Sequence, residues 1–413
     1  MTKHRMAAVD AQFYWMSAKI PNDQFLLYAF GSQPADLYTA IDGVRARARA
    51  CPDLTMRLDD GCVLTYPTWV LADVQADQVL CYDLAGDTWH SCLDAVVRLA
   101  DNQLDIRQMP WRLHLFTEVR GIPDSSEIGT VAVMQVAHAL ADGARASAMA
   151  AWLFGRTAPV PTVTPQSRRW LPWRALQAAR AHRQLVADTR HGLLPPSVGS
   201  RPPLPTNARP DGARIVRTLV RKRSALRGPT VTVAVLSAVS TALSEHLGKV
   251  ADTLGAEVPM SKPGARQGHN HFGNVVVGLY PQLAQEARAE RIAADLAGGR
   301  RRMEHPAARA ADRAFAAVPA PLLRWGIAQF DPQARPTLVA GNTVVSSVHR
   351  GAADLNFGGA PVVLTAGYPA LSPAMGLTHG VHGIGDTIAI SVHAAESAIG
   401  DVDAYLRRLD AAL

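Results

Sequence analysis

The feature that most constrains the fold is a proline- and arginine-rich stretch that interrupts a regular alternation of helix and strand patterns. Ten prolines lie within residues 159–210, and the eight arginines from Arg168 to Arg209 face a single acid, Asp188. Proline has no N–H to donate, so this stretch cannot run through a sheet. The 413 residues also exceed one core, because single cores stop growing near about 250–300 residues. We expect an N-terminal domain over residues 1–158, a crossover linker over 159–210 and a C-terminal domain over 211–413.

Both flanking blocks have α/β patterns. Helical spacing of apolar residues predicts helices in "DLYTAIDGVRARARACPDL", ended by Pro52, and in "HSCLDAVVRLADNQLD". "WRLHLFTEV" alternates as a half-buried strand does, and "TVAVMQVAH" is apolar throughout, as in a strand covered on both faces. Further patterns predict a helix in the linker ("WRALQAARAHRQLVAD"), a strand or cap leading into a helix ("TVTVAVLSAVSTALSEHLG"), strands ("GNVVVGLYPQL", "NTVVSSV", "DTIAISVHA") and a closing helix ("DVDAYLRRLDAAL").

Charge and cysteine usage exclude several classes of protein. The formal net charge is +7, which favours anionic partners, but only five of the 42 basic residues are lysines and no basic stripe alternates with aromatic residues. We therefore expect no nucleic-acid binding. The four cysteines, Cys51, Cys62, Cys81 and Cys92, are too far apart for a CxxC unit and too few for a disulfide scaffold. A reducing cytoplasm fits best.

The sequence predicts no membrane-spanning segment. Asp10 interrupts the N-terminus before a signal-like apolar core forms, and no run approaches the roughly 18 apolar residues of a spanning helix. Trp170, Leu171, Trp173 and Leu176 lie beside the linker arginines. They are typical of a contact with the surface of the inner membrane or of lipid droplets; the alternative is that the tryptophans pack on the protein's own surface.

The main candidate for chemistry is His138 in "QVAHALADG". An imidazole takes a proton near neutral pH, and a buried strand ending at His138 would hold it at the edge of a cleft. Asp142 could cap the following helix or pair with a buried arginine, and Gly143 would keep a side chain out of the space beside it. By itself the pattern is weak, because a lone histidine after an apolar run is more often structural than catalytic.

A series of segments then resembles the wax ester synthase/diacylglycerol acyltransferase family, within the larger group of chloramphenicol acetyltransferase and peptide condensation domains. In chain order the segments are "MAAVDAQFYWM", "LDIRQMPWRLHLF", "VAHALADG" in the place of the family's HHxxxDG motif, "TVTVAVLSAVSTAL", "EVPMSKPG", "FGNVVVGLYPQL", "NTVVSSVHRG" and "SPAMGLTHGVHGIGDTIAISVHA". The resemblance runs nearly end to end.

The resemblance implies a two-domain α/β fold with mixed sheets, of the chloramphenicol-acetyltransferase-like (CoA-dependent acyltransferase) type, and an active site at the domain interface that a tunnel reaches from each side. It implies an O-acyltransferase that uses acyl-CoA and a hydrophobic alcohol, such as diacylglycerol or a long-chain alcohol, with no bound cofactor. His138 would be the catalytic base. Asp142 would hold its loop through an arginine, for which Arg57 in "PDLTMRL" is the candidate, and Gly143 would leave room for the pantetheine arm.

The motif departs from the family in one position, since Ala137 replaces its first histidine. Two alternatives therefore stay open: a catalytically degenerate protein that binds a lipid or carrier, and a natural-product tailoring enzyme that takes its acyl group from an acyl carrier protein. The basic residues suit the phosphates of coenzyme A and an acidic carrier equally.

Other motifs are weaker. The set His269, His271, His379, His382 and His393 has metal-like spacing but no carboxylate or cysteine companion, so we expect no metal site. Some of these histidines could line the acceptor side of the cleft, with Asn342, Ser346 and Ser347 as possible contacts for a developing oxyanion. No GxSxG elbow or phosphate-binding loop is present, and "HGVHGIGD" is expected to be a turn before the last strand.

Overall fold

The computed structural model describes residues 4–84, 88–164, 170–248 and 253–413, where the following elements lie. The helices are α1 (Ala8–Ser17), α2 (Leu37–Ala50), α3 (Trp89–Leu99), α4 (Gly143–Leu153), α5 (Leu171–Arg190), α6 (Val231–His246), α7 (Gln285–Glu304), α8 (Pro306–Ala316), α9 (Ala320–Ala328), α10 (Glu396–Ile399) and α11 (Val402–Ala412). The strands are β1 (His4–Arg5), β2 (Gln24–Phe30), β3 (Met56–Asp59), β4 (Thr68–Leu71), β5 (Val79–Tyr82), β6 (Trp111–Val119), β7 (Gly129–Val136), β8 (Arg214–Lys222), β9 (Gly255–Ser261), β10 (Phe272–Gly278), β11 (Thr343–His349), β12 (Asn356–Phe357), β13 (Ala360–Gly367), β14 (Leu377–Ile384) and β15 (Thr387–Ala395).

Two six-stranded mixed sheets organise the molecule into two lobes. The first sheet has the order β12-β13-β2-β7-β6-β5 and the second β10-β9-β11-β14-β15-β8. In the first sheet β5 and β6 run parallel, and in the second β11 runs parallel to both β9 and β14. A third, small sheet has the order β1-β4-β3. The predicted α/β fold with mixed sheets is confirmed.

The strand β7 shows why the site lies where it does. All eight of its residues are buried, because α4 and α2 belong to the apolar cluster on one face and α3 to the cluster on the other. A strand covered on both faces reads as a continuous apolar run, as the sequence predicted. The rigid strand ends at Val136, and residues 137–142 turn out of it before α4 begins.

Two predicted elements need correction, and for a third the structure chooses the cap over the strand, the two forms that the sequence predicted before the helix. The segment "HGVHGIGD" is not a turn: Leu377–Ile384 form the fully buried strand β14, and only Gly385 and Asp386 make the turn. Its glycines serve close packing, because a Cβ at Gly380 would lie 2.1 Å from the carbonyl oxygen of Gly367. The strand β6 is buried on both faces over most of its length rather than half-buried. The segment after Thr230 is helical from Val231 onward, with the Thr230 side chain as its cap.

The strand β13 comes from the C-terminal part of the chain but belongs to the sheet of the N-terminal part. It lies within residues 211–413, yet it pairs with β2 in the first sheet. The predicted domain boundary at residue 211 therefore does not separate the two sheets, because the first sheet contains strands from both sides of it. The predicted linker includes the helix α5, and its residues 165–169 lie outside the described residues.

Candidate active site

His138 lies where the two lobes meet. It follows β7 of the first sheet by two residues and is partly exposed, whereas its neighbours Ala137 and Ala139 are buried. The loop formed by residues 266–271, which joins β9 to β10 of the second sheet, reaches across and contacts it through Asn270. The imidazole is therefore held by both lobes at their junction.

Asn270 fixes the tautomer of His138. The Asn270 amide group donates to Asp10 Oδ1 at 2.9 Å and to the backbone oxygen of His138 at 2.8 Å, so its Oδ1 is the atom that faces His138 Nδ1 at 2.9 Å. An amide oxygen only accepts, so Nδ1 carries the proton and Nε2 carries the free lone pair. Within the described parts of the chain, Nε2 has no hydrogen-bond partner.

Asp10, at the first turn of α1, anchors this arrangement. Its carboxylate accepts from the backbone N–H groups of His269 and Asn270, both at 2.8 Å, as well as from the Asn270 side chain. Burial raises the pKa of Asp10 to about 6, and the three hydrogen bonds oppose that rise. At neutral pH Asp10 is therefore ionised and accepts all three bonds.

The face of the His138 ring is apolar. Phe13 of α1 stacks on it with ring centroids 4.0 Å apart and planes 7° apart, and Phe272 of β10 lies 5.8 Å away. Burial lowers the pKa of His138 below its ordinary value of 6.5, while hydrogen bonds to its own backbone and to Asn270 and the charge of Asp142 act in the opposite direction. The ring is therefore neutral at pH 7, which is the form a general base requires.

Asp142 ties the loop of His138 to the second lobe. Its side chain caps α4 by accepting from Arg145 N, as expected for Asp before a helix. It also accepts from Arg266 Nη1 at 2.7 Å and from His271 N at 2.8 Å, and the Arg266–Asp142 ion pair is almost entirely buried. Both predicted roles, cap and arginine partner, are fulfilled together.

The arginine itself was predicted wrongly. Arg57 is exposed on β3, an outer strand of the three-stranded sheet, and donates to the Arg107 carbonyl oxygen, so it does not bind Asp142. The segment before Arg57 does contact α4, but through an acid rather than an arginine. Asp53 accepts a hydrogen bond from the buried Arg145 of α4 at 2.7 Å. Sequence patterning could not choose among the arginines, because Arg266 is 124 positions from Asp142.

Two small residues complete the motif. A Cβ placed on Gly143 would make ordinary van der Waals contacts, 3.8 Å from Val348 Cγ2 and 4.0 Å from Gln24 Oε1, so a methyl group would fit there. The expected role of Gly143 in leaving room for the pantetheine arm stays a prediction. Ala137 is buried in the apolar cluster of the first lobe, and its N–H donates to the Pro110 carbonyl oxygen at 2.9 Å.

The histidine-rich set does not come together as a site. His379 is a core residue bonded to Thr343 and Tyr405, and His269 lies against Trp69. His393 donates from Nδ1 to the Pro369 carbonyl oxygen and lies in the wall of a separate cavity of about 320 Å³. Across the described ranges, no three His, Cys, Asp or Glu side chains are grouped as a metal site would require.

Asn342 does not fit the predicted oxyanion contact. Its amide group donates to Pro202 O and Asn207 Oδ1, and its own oxygen accepts from Gly255 N, so it braces buried backbone. Ser347 accepts from Thr232 at 2.9 Å, and Ser346 lies on β11 opposite Gly380. None of the three contacts His138.

Sequence reasoning missed four residues of the site. Asp10 and Phe13 lie in the opening segment, and Arg266 and Asn270 lie in "ARQGHNHFG". The polar Asn270 between His269 and His271 is the sequence signal that could have placed this loop in the site. The spacing of the two histidines suggests metal ligands instead and so hides the role of the asparagine.

Comparisons with known proteins agree with this geometry. Residues 269–413 match the family model described as the WS/DGAT C-terminal domain. The wax ester synthase/diacylglycerol acyltransferase from Marinobacter aquaeolei VT8 is similar in structure, with a TM-score of 0.64, 17% identity, and coverage of 99% of this chain and 97% of that chain. The starter condensation domain of rhizomide synthetase RzmA, in complex with C8-CoA and Leu-SNAC, has a TM-score of 0.61, 12% identity, and coverage of 99% and 93%. No curated protein matches in a sequence search.

The two mixed sheets, in two lobes with a histidine between them, define a protein of the chloramphenicol-acetyltransferase-like fold. Within that fold, residues 269–413 are similar to the C-terminal domain of wax ester synthase/diacylglycerol acyltransferases, whose family model they match. The resemblance inferred from the sequence is thus confirmed.

Proposed function

We propose that this protein is an O-acyltransferase that moves an acyl group from acyl-CoA to a hydrophobic alcohol, with His138 as general base. The observation that carries the proposal is the neutral imidazole at the lobe junction, with its Nδ1–H directed to Asn270 and its Nε2 without a partner in the described chain. His269, His271, His382 and His393 also have a ring nitrogen without a hydrogen-bond partner among the described residues. The support therefore comes from the combination of this free nitrogen with the position of His138 at the lobe junction, where the residue is partly exposed.

The proposed reaction is a direct transfer. His138 Nε2 takes the proton from the alcohol as the alcohol oxygen attacks the thioester carbonyl carbon. The new C–O bond forms, the C–S bond breaks as the tetrahedral intermediate collapses, and the imidazolium returns the proton to the leaving thiolate. Asn270 keeps Nδ1 protonated throughout, so one nitrogen performs both proton transfers. The products are an ester and free coenzyme A.

Replacement of His138 with alanine tests the mechanism. We expect thioester-dependent acylation to fall by at least about a hundredfold, the scale of a general base, while the unfolding midpoint stays close to that of the wild type. Release of free thiol from acyl-CoA, with long-chain alcohols and diacylglycerol as acceptors, measures the rate. Unchanged turnover in this variant would reject His138 as the base.

The acyl donor has a second candidate in an acyl carrier protein, which would make the protein a natural-product tailoring enzyme. The net charge of +7 suits the phosphates of coenzyme A and equally an acidic carrier. Assays with the same acyl group on coenzyme A and on a carrier protein would separate the two donors by their kcat/KM values.

A function of a different class is favoured by one observation, the alanine at position 137. A protein that had lost its chemistry could keep the fold and bind a lipid or carrier for a partner. This alternative predicts no thiol release with any acceptor. Steady release with any donor and acceptor pair would exclude it.

We further propose a peripheral contact with the inner membrane or lipid droplets through the start of α5, which would place the protein at a cytoplasmic lipid surface. Trp170 is 76% exposed, Trp173 46% and Leu176 39%, so a substantial part of each side chain is accessible to a lipid surface. The exposed Arg180 and Arg183 on the same helix suit anionic lipid headgroups. Within the described residues, no helix is long and apolar enough to cross a membrane.

A further inference from the structure

A cavity in the C-terminal part of the chain has no role in the mechanism above. Its volume is about 620 Å³, within the range of roughly 300–1,000 Å³ typical of small-molecule sites. It is enclosed by α5, α7, α8, the loop 195–198 and the edge strand β10. It lies at the end of the second sheet, where β10 has a strand neighbour on one side only.

Small side chains on the surrounding helices create this space. The alanines of its wall are Ala178, Ala179, Ala294, Ala307, Ala308 and Ala311. At Gly299, α7 packs so closely on the sheet that a side chain would not fit, because a Cβ there would lie 2.2 Å from Val275 Cγ1. The close approach of the backbones and the short side chains together leave an elongated apolar space.

The two charged carboxylate and guanidinium side chains in the wall are directed to protein partners. Asp295 accepts from Gly278 N and from the Tyr280 hydroxyl, and Arg302 donates to Thr189 and to the Pro195 carbonyl oxygen. These contacts leave a predominantly hydrocarbon surface. An apolar ligand without strong hydrogen-bonding groups is therefore the best match to the interior.

The cavity also approaches His138. Met303 forms part of its wall, and the Met303 Cε atom lies 3.7 Å from where a Cβ on Gly273 would be. Side chains alternate along a strand, so Phe272 shares a face of β10 with the wall residues Asn274 and Val276. The Phe272 ring lies 5.8 Å from that of His138. Because a strand rises about 3.3 Å per residue, the wall residues Asn274 and Val276 lie only about 7–13 Å along β10 from Phe272.

We infer that this cavity holds the alkyl chain of a lipid substrate whose reactive end lies at His138, with Met303 at the inner end of the chain site. The inference rests on the proposed acyl transfer for the direction in which the chain enters. The same hydrocarbon could belong to the acyl donor or to the alcohol, and the chemistry of the wall is the same for both.

The test fills the cavity and compares short with long chains. Ala308 lies in the wall on α8, and Ala297 on α7 is exposed and outside it, so Ala308→Trp and Ala297→Trp form a matched pair. In one arm, butanol is acylated from butanoyl-CoA or hexadecanoyl-CoA. In the other, butanoyl-CoA acylates butanol or hexadecanol. Thiol release gives kcat/KM in each case.

Filling the cavity should lower kcat/KM for the hexadecyl substrate at least about tenfold, since each excluded methylene loses its burial, and should leave the butyl substrate within about twofold. The arm that shows the loss identifies whether the chain comes from donor or alcohol. Ala297→Trp should change neither. Equal effects on both chain lengths, or no effect, would overturn the inference.

A binding measurement keeps the inference separable from the proposed chemistry. The fluorescent fatty acid cis-parinaric acid should bind the wild type and the Ala297→Trp variant and lose at least about tenfold in affinity with Ala308→Trp. If the Ala308→Trp variant unfolds at a lower temperature than the wild type, Ala308→Leu is used instead, because its side chain is smaller. Affinity unchanged by filling would reject the chain site. Absence of thiol release in the wild type, by contrast, would reject the acyl transfer.

Discussion

At the residue scale, the proposed chemistry depends on one hydrogen bond, between His138 and Asn270, that sequence position does not reveal. His138 was predictable, because a histidine after a buried strand and before Asp-Gly forms a local pattern. Its partner Asn270 was not, because the two residues are 132 positions apart and only the meeting of two lobes brings them together. Local periodicity carries no information about such a contact.

Replacement of Asn270 with alanine tests whether it positions His138. The Asn270 hydrogen bond raises the pKa of His138, so its loss should lower that pKa further. A base acts when neutral, so the rate falls as pH drops through its pKa. We expect kcat to fall at least about tenfold and the acid limb of the kcat/KM profile, already below 6.5 in the wild type, to move to lower pH.

A purely structural role for Asn270 gives a different result. It would lower the amount of folded enzyme and leave the midpoint of the acid limb in place. The pH profile measured on the folded fraction therefore separates positioning from stability, and an unmoved midpoint would argue against the assigned tautomer.

At the element scale, the ion pair between Asp142 and Arg266 connects the N-terminus of α4 to the loop before β10. The prediction from sequence that Arg57 is the partner of Asp142 is wrong. The cap at Asp142 was predictable from local sequence, because Asp before a helix is a strong N-terminal signal. The arginine was not, because any arginine whose element approaches Asp142 would satisfy the same rule. The turn predicted in place of β14 failed for a related reason: glycines that permit close packing of buried strands look like turn residues in sequence.

The pair Arg266→Ala and Arg57→Ala tests this assignment. Loss of Arg266 leaves Asp142 as a buried carboxylate without its cation, and we expect the free energy of unfolding to fall by about 3–5 kcal/mol. Arg57 is exposed and makes one backbone contact, so its loss should cost no more than about 0.5 kcal/mol. Urea unfolding monitored by tryptophan fluorescence measures both. Similar losses in the two variants would contradict the assignment.

At the scale of the whole molecule, the α/β class and mixed sheets were predictable because helix and strand patterns are periodic. The order of strands was not. β13 belongs to the first sheet although its sequence lies in the C-terminal part, and its pattern is that of any buried strand. Surface features were predictable in part. The apolar and basic residues of α5 can be seen in the sequence, but their exposure to solvent depends on how the chain folds.

Vesicle binding tests the proposed lipid contact of the whole protein. We expect sedimentation with vesicles of phosphatidylcholine and phosphatidylglycerol, at least about tenfold weaker binding for a Trp170→Ala and Trp173→Ala double variant, and weaker binding at high salt. Tyr38 on α2 is 82% exposed, so Tyr38→Ala is a matched control that should bind normally. Equal binding by the double variant and the control would reject this face as the contact.

The placement of β13 has a consequence for how the protein is made. The ribosome produces β2 and β7 more than two hundred residues before β13, so the edge of β2 that β13 will cover stays uncovered on the growing chain. At roughly 5–20 residues per second, that interval lasts at least about ten seconds. The nascent first lobe must therefore avoid pairing with other chains until translation is nearly finished, which makes it a natural client for chaperones that shield open strand edges.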